Sequence, residues 1–67
     1  MNTEKDWQRR GNISRGDLVK VVLKKDQKNG RLTEGRVLEI LTNSEFHPHG
    51  IKVRLEDGKV GRVRCID

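Results

Sequence analysis

The chain has 67 residues, with 15 Lys and Arg against 10 Asp and Glu for a net charge of +5. That length excludes a second domain and a large catalytic core, because a chain so short buries only about 60% of the surface its unfolded form exposes. Eighteen residues are Ile, Val, Leu or Phe, enough to fold; alanine is absent while Val, Ile and Thr total 14, a balance that favours strands because β-branched side chains are stiff at χ1.

Residues 1–10 carry Trp7 among mostly polar neighbours and read as a flexible N-terminal tail, since a helix so short is marginal alone. Residues 11–67 then form the domain. Gly11 to Gly16 is a turn-rich entry, and Asp17 to Lys24 has the β-branched density and near-alternation of a first strand. Lys25 to Gly35 lacks a period and contains the turn pair Asn29-Gly30, which predicts a long basic loop. Arg36 to Leu41 reads as strand two, Thr42 to Gly50 as a polar loop with His47-Pro48-His49, Ile51 to Leu55 as strand three, and Lys59 to Ile66 as the last strand. Too few apolar residues for a sandwich, with glycines before several strands, point to an all-β fold: a small SH3-like barrel of four to five antiparallel strands.

The register of the last hairpin follows from side-chain parity. A two-residue turn at Asp57-Gly58 sets Val53 against Arg62 and Ile51 against Arg64, burying two arginines. A three-residue loop, Glu56-Asp57-Gly58, with Gly58 left-handed, instead pairs Leu55 with Lys59, Val53 with Gly61 and Ile51 with Val63, and Cys65 is expected to follow inward. The outer face then displays the four cations Lys52, Arg54, Arg62 and Arg64 beside Val60, with Lys52 directly across from Arg62.

Like charges across two strands repel by roughly 0.2–1 kcal/mol, and an anion relieves that repulsion. The four residues are therefore candidate phosphate contacts, and Lys24, Lys25, Lys28 and Arg31 extend the positive surface from the long loop. The competing reading is a solvated face whose charges block aggregation through strand edges. Asn43, Ser44, His47 and His49 are candidates for base or sugar contacts, although turn formation is the default role of such residues. With only Trp7 and Phe46 as aromatic residues there is no platform for stacked bases and no aromatic-lined groove for proline-rich peptides, which leaves recognition of backbone and shape.

His47 and His49 lack the supporting ligands of a metal site, so no metal and no cofactor is expected. No nucleophile and base follow a known spacing, the glycines match no phosphate-binding loop, and neither catalysis nor a small-molecule substrate is expected. Asp26, Glu34, Glu39, Glu45, Glu56 and Asp57 lie among basic residues and suggest surface ion pairs. The charged N-terminus and single cysteine predict a cytoplasmic protein without a disulfide, and no segment suits a membrane.

The run Val22-Leu23-Lys24-Lys25-Asp26-Gln27, continuing through Gly30 to Gly35, together with His47-Pro48-His49-Gly50-Ile51-Lys52-Val53-Arg54-Leu55 and Val60-Gly61-Arg62-Val63, resembles the YwbE family of small uncharacterised proteins from about Arg10 to Ile66. That resemblance implies no activity. Gly35-Arg36-Val37-Leu38-Glu39-Ile40 is more loosely similar to KOW-type modules, SH3-like barrels that commonly bind RNA or protein, and this implies a fold rather than a function. The expectation is a non-catalytic nucleic-acid-binding module, with RNA as the favoured partner. The alternative is an adaptor that binds an acidic protein or adds a strand at an open barrel edge.

Overall fold

Alternation in the first β-branched run sends Val19, Val21 and Leu23 to one side and Lys20 and Val22 to the other, and the rest of the barrel is arranged around that inner row. The computed structural model describes residues 4–67. Four antiparallel strands, β1 (Leu18–Leu23), β2 (Thr33–Ile40), β3 (Lys52–Leu55) and β4 (Val60–Ile66), close into a barrel in sequential order, with β4 returning to β1. This is the small all-β barrel expected from composition. Closure pairs every one of these strands with two neighbours, so the open edge invoked for strand addition is absent among the described residues. No helix among them is long and apolar enough to cross a membrane.

The interior holds Ile13, Val19, Val21, Leu23, Val37, Ile51, Val53, Leu55 and Val63, with Ile40, Ile66 and Trp7 packed at its margins. Full burial of a Val, Leu or Ile side chain contributes about 1.5–3 kcal/mol, so a one-residue slip that turned any strand outward would forfeit most of the fold's driving force. The β3–β4 hairpin has the register required by parity: Lys52 pairs with Arg62, Val53 with Gly61 and Arg54 with Val60, while Gly58 closes the turn at φ 94°. Gly61 lies on the inner row beside β1, where a Cβ would stand 2.7 Å from the Val22 carbonyl oxygen. Only glycine lets the two strands approach so closely.

Four local expectations are corrected. Strand β2 starts at Thr33 rather than Arg36, which shortens the basic loop; Gly35, expected as the last residue of that loop, is an inner-face strand residue opposite Val19, where a Cβ would meet Leu55 Cδ1 at 2.8 Å. The loop begins with a 3-10 turn at Lys24–Asp26, and Asp26 is buried rather than part of a surface ion pair. Its backbone carbonyl accepts from Gly30 N–H at 2.8 Å, which ties the loop back on itself.

The described part of the expected tail is laid against the barrel. Two 3-10 turns, Asp6–Gln8 and Arg10–Asn12, flank an extended Arg9 that bridges Phe46. Arg10 N–H donates to the Glu45 carbonyl at 2.8 Å, His47 N–H to Gln8 at 2.9 Å and Ile51 N–H to Trp7 at 3.1 Å. These bonds satisfy backbone groups of residues 45–51 that no strand pairs, and Trp7 adds apolar contact; composition of residues 1–10 alone conceals both effects. Residues 1–3 of that expected tail lie outside the described residues.

Cys65 does not follow inward. Strand β1 pairs Lys20 with Cys65 but Val21 with Val63, leaving Arg64 as the extra residue of a bulge. The bulge inverts parity beyond it, so Cys65 shares the outer side with Lys20 and Ile66 takes the inner position opposite Val19. A second shift in β2, at Leu38, likewise sets Glu39 beside Arg54 on the outer face.

Candidate nucleic-acid interface

Three residues form a line across the outer sheet face, Val22 on β1, Arg62 on β4 and Lys52 on β3, each directly opposite the next. The consecutive Val21-Val22 pair explains its apolar end, since one valine of such a pair must face out of the barrel. Val22 is nonetheless only 5% exposed, because it floors a cleft with cationic walls. Lys24, Lys52 and Arg62 surround one half of the cleft, together with Gln27 and Val60. The other half shares Val22, Gln27 and Arg62 and adds His49 and Arg64.

The guanidinium of Arg62 donates through Nη1 to the Gly50 carbonyl at 3.1 Å, which ties it to the His-Pro-His-Gly segment, and Arg62 lines both halves of the cleft. Arg64, pushed out by the bulge, sits 5.3 Å from the Trp7 ring centroid, so the N-terminal segment props its guanidinium. Lys24, Lys52, Arg62 and Arg64 form no ion pair with any described carboxylate. Arg54 differs: it is bonded to Glu39, its cross-strand neighbour on β2. The sequence therefore grouped four hairpin cations of which three form no ion pair among the described residues.

Lys25, Lys28 and Arg31 are exposed on the loop after β1 but do not line the cleft, and Arg31 N–H instead donates to Asn29 Oδ1 at 2.8 Å within the turn. Asn43 and Ser44 are exposed and also lie off the cleft. His47 is half-buried, and its Nδ1 accepts the His49 N–H at 3.1 Å, fixing the turn that carries His49 to the cleft wall. Partial desolvation, followed by the charges of Arg62 and His49, holds the His47 pKa below its usual value. Among the described residues no three His, Cys, Asp or Glu side chains are grouped to hold a metal ion.

Sequence reasoning placed Val60 on the cationic face but overlooked Val22 and Gln27 as cleft residues and Trp7 as the support of Arg64. The doubled valine was a usable signal for the first. Gln27 had none, because its place depends on how the 3-10 turn folds back over the sheet. What the arrangement offers chemically is a shallow cationic cleft with an apolar floor and one neutral hydrogen-bonding side chain at its centre, without a paired acid and base.

Comparison with known proteins gives two matches. A family model described as an uncharacterized conserved protein (DUF2196) matches residues 6–66. The uncharacterized protein YwbE of Bacillus subtilis (strain 168) is 66% identical over 59 residues, covering 88% of this chain and 91% of that protein. No solved structure matches.

Proposed function

The chain belongs to the DUF2196 family of uncharacterized conserved proteins, and we propose that it is a non-catalytic nucleic-acid-binding module that holds RNA phosphates on the outer face of β3 and β4. The observation that carries this reading is the direct opposition of Lys52 and Arg62 beside Lys24 and Arg64, none of them ion-paired to a described carboxylate. A phosphate placed between them removes a standing repulsion and releases counterions from the polymer. Both aromatic rings are engaged by arginine, Trp7 by Arg64 and Phe46 by Arg9, which favours contact with backbone and shape over base stacking.

The test is titration of a fluorescent RNA hairpin at several salt concentrations. Three or four phosphate contacts give a log–log salt slope of about −2 to −4. Equal affinity at about 50 and about 300 mM salt, or no binding, overturns the reading. Protein purified from cells should also carry absorbance at 260 nm that nuclease removes, whereas a nuclease-insensitive protein companion would indicate an acidic protein partner instead.

A further inference from the structure

Gln27 stands where the two halves of the cleft meet, and both halves also contain Val22 and Arg62. Its backbone N–H caps the Lys24 carbonyl at 3.4 Å, but its solvent-exposed carboxamide has no hydrogen-bond partner among the described residues. Every other polar side chain of the cleft is a cation or an imidazole: Lys24 and Lys52 on one side, His49 and Arg64 on the other, Arg62 between. Cations contact phosphate without regard to the sugar attached to it. A carboxamide both donates and accepts, which matches the 2′-hydroxyl, the group that distinguishes RNA from DNA at a given position.

Resting on the phosphate-binding reading above, we propose that the cleft takes two consecutive phosphates of one RNA strand on either side of Arg62, and that Gln27 bonds the 2′-hydroxyl of the ribose between them. Val22 and Val60 supply an apolar floor for the carbon face of that ribose. Gln27 is thus a specificity-determining residue, and Lys24, Lys52, Arg62 and Arg64 supply affinity.

The experiment compares an RNA hairpin with the same hairpin carrying 2′-fluoro riboses, which keeps the A-form shape and phosphate charge but lacks the hydroxyl donor. Anisotropy titrations use the intact protein and its Gln27→Ala and Gln27→Leu variants, with unfolding midpoints checked to be unchanged. The expected result is about fivefold tighter binding of the hydroxyl form by the parent protein, the effect of one hydrogen bond. Both variants should lose that preference by weakening the hydroxyl complex alone, with the salt slope preserved. Equal affinity for both hairpins, or a Gln27 variant that weakens both equally, overturns the assignment of Gln27 while leaving salt-dependent phosphate binding intact. Failure of both hairpins to bind at low salt overturns the phosphate-binding reading itself and this proposal with it.

Discussion

Lys52 and Arg62 face each other across β3 and β4, neither of them ion-paired to a described carboxylate, a pairing that weakens the sheet it belongs to. Lys52→Glu converts the repulsion into an attraction. The expected outcome is a gain of about 0.5–1 kcal/mol in urea unfolding together with a loss of about tenfold or more in RNA affinity at low salt. A variant that gains stability and keeps its affinity would show that the opposed cations serve no polyanion.

Arg54 and Arg62 are neighbours on the same outer face but differ in what holds them, a carboxylate for Arg54 and a backbone carbonyl for Arg62. Arg62→Ala should lower the magnitude of the salt slope by about 1, while Arg54→Ala should leave the slope unchanged and alter stability by no more than about 1 kcal/mol. Equal effects of the two substitutions on binding would contradict the neutralisation of Arg54 by Glu39.

The hairpin register was legible because only one alignment keeps Arg62 and Arg64 out of a core lined by Ile51, Val53 and Val63. The bulges at Leu38 and Arg64 were not, since a bulge depends on how a strand bends to close the ring and leaves no fixed residue pattern. For the same reason the Glu39–Arg54 pair was hidden, and with it the separation of Arg54 from the site. Trp7 was hidden differently: its partners, Gly50, Ile51 and Arg64, are more than forty residues away, and local composition carries no trace of them.

The Arg64 bulge turns Cys65 onto the outer side opposite Lys20, partly exposed beside Trp7. Its thiol should therefore react with a disulfide reagent in the native protein, at a rate that does not change with urea below the unfolding transition. Labelling that follows the unfolded population instead would place the thiol in the core and remove the bulge.

Gly61 separates β4 from β1 directly beneath the cleft floor formed by Val22. In Gly61→Ala the new methyl meets the Val22 carbonyl and the Val21 side chain, so the strands must part. A loss of about 1–3 kcal/mol is expected, against little change for Gly11→Ala, which has open space around its Cβ. Equal unfolding midpoints for the two variants would mean that β1 and β4 do not approach this closely.

His47 gives the protein a pH dependence whose sign is set by its partial burial and the positive charges beside it. Partial desolvation, followed by the nearby charges of Arg62 and His49, disfavours its protonated form, so the folded pKa lies below the unfolded one, while its Nδ1 accepts the His49 N–H. Between those two values the unfolded chain binds more protons. The contribution is therefore fully present above the unfolded value of about 6.5 and is lost as pH falls through the window below it. His47→Asn keeps a side-chain acceptor for the same turn but cannot titrate, so it should hold its thermal midpoint from about pH 7.5 to about pH 5.5 better than the parent protein does. A parent and variant that decline in parallel would assign the acid sensitivity to other groups.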